Sequence, residues 1–207
     1  MNKKISTVLD FYYSHYILKE KERTGWIRWN VSGRRESIAE HISSAQALAW
    51  ALYSEFDLDV NIERVISMLS LHEKGEEIIG DITRFDNISK EEKERKEKEA
   101  VDKLCSKLKK GNYFISLIDE FNEGKTKEAK LAYLCDKLDC DLQAKYYSDC
   151  KRCFIETATY QMVNNSEIQK IIADGAKTVW DVFYEADKFI YEDTFLEKFF
   201  SAIKNYN

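Results

Sequence analysis

Proline is absent from the 207 residues of this chain, and glycine occurs only seven times. Proline ends or kinks helices because it lacks a backbone N–H, and both residues mark the turns between strands. An all-β domain with many tight turns would need more of both. The composition therefore favours a protein built mainly from helices.

Other features are also missing. The sequence contains no run of 18 apolar residues, so it predicts no transmembrane helix. Lys3 and Lys4 are not followed by an apolar segment, so we expect no secretory leader. The five cysteines are an odd number, which suits reduced thiols in the cytoplasm better than a disulfide framework. The net charge of −5 disfavours a general nucleic-acid binder, which would present a basic surface.

Apolar residues make up 44% of the chain, enough for a core in one domain, and they recur at helical spacing. The pattern predicts helices over 6–22, 37–56, 62–72, 90–104, 113–121, 128–147, 166–186 and 192–205. The segment 23–36 is predicted to be a loop, and 148–163 is ambiguous. We expect a single all-α domain over residues 1–207, with a core at about 5–150 and a helical extension at 151–207.

A capping-box pattern, Ser89 to Glu92, opens the highly charged segment 90–104. Acidic and basic residues alternate there at spacings that form i,i+4 pairs. We interpret this segment as a solvated helix face rather than as a surface that binds a partner.

Histidine is informative because the chain has only three. His15 lies among tyrosines on the first predicted helix and is interpreted as a surface or core-edge histidine. His41 and His72 each lie on the apolar face of a predicted helix. Taken singly, either could be an ordinary buried histidine.

Carboxylates accumulate near the second of these histidines and on a later helix. Four acidic residues follow His72 within ten positions: Glu73, Glu76, Glu77 and Asp81. Asp136 lies on the apolar side of the helix predicted over 128–147. Because clustered carboxylates repel and a buried unpaired charge is costly, a cation would stabilise this arrangement. One divalent ion bound by two imidazoles and two carboxylates fits, and such ligands suit Mn²⁺, Co²⁺, Mg²⁺, Fe²⁺ or Zn²⁺.

The order of these residues resembles the H…HD…D signature of HD-domain phosphohydrolases. Five segments are similar to the 5′-deoxynucleotidase-like branch of that family, and they occur in the family's order. They are LKEKERTGWIRWNV (18–31), ESIAEH (36–41), LSLHEKGEEIIGDIT (69–83), SKEEKERKEKEA (89–100) and AKLAYLCDKLDCDLQAKYY (129–147). The resemblance covers about residues 5–150.

The resemblance implies a role for each matching residue. The implied metal ligands are His41, His72, Glu73 and Asp136. Glu76 matches the carboxylate that positions or activates water, and Asp81 matches a second acid near the site. Arg23 and Trp26 match substrate-contacting residues, although a tryptophan here could equally be an aromatic core residue that covers a loop.

The implied protein is an all-α HD-domain bundle that hydrolyses (deoxy)nucleoside 5′-monophosphates or a similar small phosphate ester. Its partner is then a small nucleotide, with no nucleic-acid polymer and no membrane. A homodimer is also expected, because the family resemblance is joined by many aromatic residues in the tail. These are Trp180, Phe183, Tyr184, Phe195, Phe199 and Phe200.

One departure from the family pattern leaves alternatives open. The family's His-Asp pair is His72–Glu73 here, and glutamate is one methylene longer. The chain could therefore be a catalytically weakened nucleotide-binding or regulatory protein with the same fold. A plain helical interaction domain with acidic surface residues is a third reading. The enzyme hypothesis requires the helices that bear His41, His72 and Asp136 to meet at one interior point.

Overall fold

The computed structural model describes residues 2–83, 86, 88–204 and 206. Within these residues every regular element is a helix, and one isolated antiparallel bridge joins Glu22 and Ser37. The all-α prediction is therefore confirmed. None of the helices in this part of the chain combines the length and the apolar character that crossing a membrane requires.

The helices follow one another with short connections. The first seven are α1 (Lys3–Ser14), α2 (Tyr16–Glu20), α3 (Thr24–Arg28), α4 (Ile38–Glu55), α5 (Ile62–Leu69), α6 (Glu76–Ile79) and α7 (Lys90–Cys105). The others are α8 (Gly111–Glu123), α9 (Lys127–Asp149), a 3-10 turn (Ile155–Thr157), α10 (Tyr160–Val163), α11 (Ser166–Ala173), α12 (Val179–Tyr191) and α13 (Glu197–Ile203).

The chain forms two compact units. The first contains the chain up to Thr24 together with Glu36–Asp139, and the second contains Gly25–Arg35 together with the chain from Cys140 onward. The unit boundary on α9 thus lies near the predicted start of the helical extension, but a short early segment also belongs to the second unit. That the whole chain is one domain stays a prediction.

Several of the predicted boundaries are wrong. The helix predicted over 6–22 is two helices, which are separated at His15. The segment 23–36, predicted to be a loop, contains α3, and Trp26, Trp29 and Val31 in it are buried. A five-residue helix is too short to show a 3.6-residue period, and burial of its side chains stabilises it instead. The single helix predicted over 166–186 is two helices, because Gly175 has a φ of 113° that a helix does not accept.

Local capping explains where the helices of the first unit begin. At the start of α4, Ser37 accepts a hydrogen bond from the backbone of Glu40, whose carboxylate accepts one from the Ser37 backbone at 2.9 Å. Asn61 caps α5 in a similar way, through the backbone of Arg64. At the predicted capping box, Ser89 accepts from the backbone of Glu92 at 3.2 Å. These caps fix the first residue of each helix and so the direction of every later side chain.

Candidate metal centre

The four predicted metal ligands come together inside the first unit. His41 extends from α4, His72 and Glu73 lie in the turns that follow α5, and Asp136 extends from α9. One possible ligand atom from each lies within 4.8 Å of the others. The centroids of the two imidazole rings are 5.5 Å apart, so the predicted meeting of these helices at one interior point is confirmed.

The distances between these atoms suit a single ion. Asp136 Oδ1 is 3.0 Å from His41 Nε2 and 3.6 Å from His72 Nε2. Glu73 Oε1 is 3.8 Å and 3.5 Å from the same two nitrogens. Ligands held at about 2.1 Å from one ion are about 3.0–3.4 Å apart in tetrahedral or octahedral geometry. Shifts of a few tenths of an ångström would therefore complete the coordination.

The hydrogen bonds of His72 leave one ring nitrogen available. Its Nδ1 lies 2.8 Å from the Leu69 carbonyl oxygen, which can only accept, so Nδ1 carries the proton. Nε2 is buried without a hydrogen-bond partner among the described residues, and in the neutral tautomer its lone pair can bind a metal. A buried imidazole nitrogen that has no hydrogen-bond partner and faces two carboxylates has the surroundings of a metal ligand.

The ring of His41 is also hydrogen-bonded by Asp139, a carboxylate that the sequence analysis did not predict to be part of the site. Its Nδ1 donates to Asp139 Oδ2 at 2.7 Å, and its Nε2 faces Asp136 at 3.0 Å. Burial and the charge of Arg23 oppose protonation, but the hydrogen bonds to Asp136 and Asp139 outweigh them and raise the pKa of His41 to about 9. Glu36 lies beside this pair and is also buried.

The carboxylates of the cluster differ in proton affinity. Burial raises the pKa of Asp136, but Lys137 and the two histidines outweigh burial and hold that pKa well below its usual value. Burial likewise opposes ionisation of Glu73, whose pKa is nevertheless lowered by His72 and Arg23. Both groups are therefore ionised at neutral pH, as metal ligands must be.

Glu76, three residues after Glu73, behaves in the opposite way. Burial and the negative charges of Glu73 and Asp81 raise its pKa well above the usual value, although Arg23 and Lys93 lower it. The pKa values of Glu73 and Asp136 are thus lowered, whereas that of the neighbouring Glu76 is raised. Neighbouring carboxylates with opposite pKa shifts are typical of a site that combines metal binding with proton transfer.

Asp81 holds the segment that carries Arg23. Its carboxylate accepts a hydrogen bond from the Thr24 backbone, and its carbonyl accepts one from the Thr24 hydroxyl at 2.9 Å. The Arg23 backbone in turn donates to the Glu36 carbonyl at 2.9 Å. Arg23 is close enough for its charge to influence His41. Asp81 thus lies outside the ligand cluster, and its hydrogen bonds go to Thr24, the residue after Arg23.

Trp26 belongs to the second unit and is 3% exposed. Its ring stacks on Phe183, with 5.6 Å between the centroids, and meets the edge of Tyr147 at 5.2 Å. These are the surroundings of an aromatic core residue. A role of Trp26 in substrate binding stays a prediction.

A cavity of about 320 Å³ opens beside the cluster, within the first unit. His72 and Glu76 line it together with residues of α7 and α8. Gly75 allows α7 to approach this closely, because a Cβ atom there would lie 3.3 Å from the backbone of Glu97. Small-molecule sites commonly have volumes of about 300–1,000 Å³, so the cavity is large enough for a ligand.

Comparison with known proteins agrees with this geometry. The chain is 34% identical over 134 residues to a 5′-deoxynucleotidase, HDDC2, of Danio rerio, covering 64% of this chain and 65% of that protein. It is 30% identical over 172 residues to the 5′-deoxynucleotidase HDDC2 of Dictyostelium discoideum, covering 80% and 86%. The chain thus spans slightly less than two thirds of the Danio rerio protein but most of the Dictyostelium one.

Solved structures show the same fold. A crystal structure of a Pyrococcus horikoshii protein superimposes with a TM-score of 0.64 at 25% identity, over 95% of this chain and 96% of that one. The profile of the HD domain matches residues 16–180, which include all four residues of the cluster. This chain therefore belongs to the HD-domain family.

Proposed function

We propose that this protein is a metal-dependent phosphohydrolase that removes phosphate from (deoxy)nucleoside 5′-monophosphates or a similar small phosphate ester. The observation that carries the proposal is the set of two imidazoles and two carboxylates within 4.8 Å, one of whose nitrogens is buried and unpartnered. The names of the relatives support the same reaction, since both relatives above are 5′-deoxynucleotidases.

In this proposal His41, His72, Glu73 and Asp136 hold one divalent ion, of Mn²⁺, Co²⁺, Mg²⁺, Fe²⁺ or Zn²⁺. Such an ion would supply a Lewis acid that acidifies water and polarises a phosphate oxygen. The two histidines are neutral ligands, so Glu73 and Asp136 offset the charge of the ion. Asp139 keeps the His41 ring in the tautomer that presents Nε2.

Glu76 is the proposed proton carrier. Its raised pKa brings the carboxyl group towards the range in which it can both accept and return a proton near neutral pH. It would take a proton from the attacking water and later deliver one to the departing alkoxide. Glu76 is 5% exposed, so bulk water has little access to this proton.

Arg23 is the proposed phosphate-binding residue, because its guanidinium offers a planar fork of donors to an anion. Asp81 is proposed as a positioning residue, which holds Arg23 through the backbone of Thr24. Trp26 is proposed as a wall for the sugar or base. Since Trp26 is stacked on Phe183, contact with substrate would require this packing to open.

The test is a phosphate-release assay over nucleoside and deoxynucleoside 5′-monophosphates with Mg²⁺, Mn²⁺ and Co²⁺, beside a metal titration of the metal-free protein. We expect metal binding with one ion per chain and turnover that chelation abolishes. Metal binding without turnover of any nucleotide would instead support the catalytically weakened, regulatory alternative. If the protein binds no metal and hydrolyses no nucleotide, the result would favour the helical interaction domain.

We also propose that the protein is a homodimer, through a different surface from the one that the sequence suggested. The tail aromatics Trp180 and Phe200 are 5% and 2% exposed. By contrast, three tyrosines of α1 and α2 are 42–60% exposed and contact one another: Tyr12, Tyr13 and Tyr16. Light scattering at micromolar concentration should give twice the mass of the chain, and Tyr13→Lys should give the single mass.

A cytoplasmic location is proposed on the state of the cysteines. All five are free thiols, and three of them are buried: Cys105, Cys135 and Cys153. Burial raises the pKa of Cys135 to about 12, which makes it unreactive. A reducing compartment is where such a set of thiols persists. Fractionation of cells that express a tagged chain would test the location.

A further inference from the structure

We propose that Lys93, on α7, is a positioning residue for the phosphate-binding Arg23. It acts at a distance, by fixing the segment 80–83, which in turn holds the backbone beside Arg23. The inference rests on the proposed function, in which Arg23 binds the phosphate of the substrate. It gives a role to a residue of the charged segment 90–104, which the sequence pattern indicated to be a solvated helix face.

The segment 80–83 follows α6 and has no regular secondary structure, so its backbone is not held by the repeated hydrogen bonds of a helix or sheet. Side chains from elsewhere in the first unit hold two of its carbonyl groups instead. The Thr24 hydroxyl donates to the Asp81 carbonyl at 2.9 Å, and the Lys93 ammonium donates to the Ile82 carbonyl at 2.7 Å. A hydrogen bond with a charged donor is stronger than one between neutral groups. The position of this segment therefore depends on Lys93.

The same segment holds the backbone at Arg23. The Asp81 carboxylate accepts a hydrogen bond from the backbone of Thr24, the next residue along the chain. On the other side, the Arg23 backbone donates to the Glu36 carbonyl at 2.9 Å. Displacement of the segment 80–83 would therefore move the base of the arginine side chain. Misplacing a group that holds substrate by about 1 Å can cost about 100-fold in rate.

Lys93 differs from the neighbouring cations of its helix. Arg95 and Lys96 pair with carboxylates of α7 itself, and their side chains are 58% and 40% exposed. The Lys93 side chain is 34% exposed, and its ammonium reaches the Ile82 carbonyl, 11 positions earlier in the chain. Its charge also lowers the pKa of Glu76, against the effect of burial, which raises that pKa. Lys93 therefore belongs to the surroundings of the reaction centre.

The experiment removes the ammonium group and keeps an apolar stem of similar length. Phosphate release from dAMP with Mn²⁺ gives kcat/KM, and calorimetric titration gives the affinity for Mn²⁺. Lys93→Met should lower kcat/KM about tenfold, the factor that corresponds to one lost hydrogen bond with a charged donor. The affinity for Mn²⁺ should not change, because the hydrogen bond of Lys93 goes to Ile82 and not to a proposed metal ligand. Lys93→Arg can donate to the same carbonyl and should keep at least about half of the wild-type kcat/KM.

Lys96→Met is the matched control. Lys96 lies three residues further along the same helix, where its ammonium pairs with Glu92 at 2.8 Å on the surface. This variant should keep the wild-type kcat/KM, and circular dichroism should show the same helix content in all variants.

A double-mutant cycle tests the route through Arg23. Arg23→Lys keeps a positive charge but lacks the planar fork of donors. Because Lys93 acts by orienting that fork, adding Lys93→Met to Arg23→Lys should lower kcat/KM by less than about twofold further. A further loss of about tenfold would mean that the two residues act independently, and it would overturn the inference.

The remaining outcomes also decide the point. A wild-type kcat/KM in Lys93→Met, or a Lys93→Arg variant as slow as Lys93→Met, overturns the inference and leaves the proposed function standing. Weaker binding of Mn²⁺ or loss of helix content in Lys93→Met would place its effect on the metal cluster or on stability, and would overturn the inference as well. Absence of phosphate release by the wild type with every metal overturns the proposed function, and the inference with it.

Discussion

The two units of this protein bury different kinds of side chain. Seven ionisable residues of the first unit are at most 7% exposed: Glu36, His41, Lys74, Glu76, Glu77, Asp136 and Asp139. In the second unit, aromatic rings fill the interior, with Tyr184 stacked on Phe200 at 5.1 Å and Tyr191 on Phe200 at 4.2 Å.

This difference in buried side chains suits the first unit to chemistry and the second to stability. Removing charged groups from water costs free energy, which only good partners or a bound ion offset. Burying aromatic rings contributes free energy instead, by apolar area and by ring contacts. The first unit therefore depends on the partners of its many buried charges. The second unit depends mainly on aromatic packing, although it also buries Asp141, which accepts a hydrogen bond from the Tyr191 hydroxyl.

The largest effect should come from Asp136→Asn, which removes a carboxylate from the centre of the cluster. Loss of a second-shell partner alone costs about 10- to 100-fold in metal affinity or activity, so loss of this ligand should cost more than about 100-fold. Calorimetric titration with Mn²⁺ and phosphate release measure the two quantities. Asp149→Asn, on the same helix but 55% exposed at its side chain, is the control and should change neither. Unchanged affinity in Asp136→Asn would remove Asp136 from the ligand set.

Phe200→Ala tests the second unit, in which aromatic rings fill the interior. Phe200 is 2% exposed and contacts Trp180, Tyr184 and Tyr191. Its truncation should lower the free energy of unfolding by about 3–5 kcal/mol, measured by urea denaturation. The matched variant Phe189→Ala, at a position 62% exposed, should cost less than about 1 kcal/mol. Similar losses for both would mean that the aromatic interior does not carry the stability.

Substitutions of Glu73 test the first unit more finely, because they separate the charge of one side chain from its length. Its Oε1 lies 3.5 Å from His72 Nε2, so the longer side chain still reaches the cluster. Glu73→Asp keeps the charge and should keep or raise hydrolysis, while Glu73→Gln and Glu73→Ala should lower it by about 10- to 100-fold. Metal titration and phosphate release on the three variants decide the point. If all matched the wild type, Glu73 would point to solvent and a water would take its place.

The smallest effect, taken per pH unit, is a dependence of metal affinity and stability on pH. His41 must be deprotonated to bind metal, and without metal its pKa is raised from 6.5 to about 9. Metal affinity should therefore rise by up to about tenfold per pH unit from pH 7 towards pH 9 and then level off. The metal-free protein should show the opposite trend, because the stability that protonated His41 contributes is complete below pH 6.5 and is lost as pH rises through about 9.

Metal titrations at several pH values, beside urea denaturation of the metal-free protein, measure both trends. Asp139→Asn replaces the charged acceptor of one of the hydrogen bonds that raise this pKa by a neutral amide, so both trends should move to lower pH. An affinity that stays constant between pH 7 and pH 9 would contradict the assignment of His41 as a ligand.

Periodicity predicted the parts of the fold that position the site. The helices α4, α5 and α9 have long or strongly one-sided apolar faces, and His41 and Asp136 lie on those faces. Their meeting could be foreseen because inward faces of neighbouring helices share one interior. His72 lies just beyond the end of α5, in turns whose course no period describes.

Other features depend on contacts between distant parts of the sequence. The support of Thr24 by Asp81 joins residues 57 positions apart, and no local pattern indicates it. The same holds for Gly25–Arg35, which belongs to the second unit although the chain on both sides of it belongs to the first. Asp139 was within reach of prediction, because it follows Asp136 by three residues and therefore lies on the same helical face.

The contacts of Asp136 and Asp139 with the ring of His41 limit how the sequence of α9 can change. The two nitrogens of His41 contact carboxylates three residues apart on α9, at 3.0 Å and 2.7 Å. Each residue added to a helix turns everything beyond it by about 100°, so one insertion between them would carry Asp139 off this face. Homologous chains that keep this site should accept many substitutions between the two positions but no change in their number.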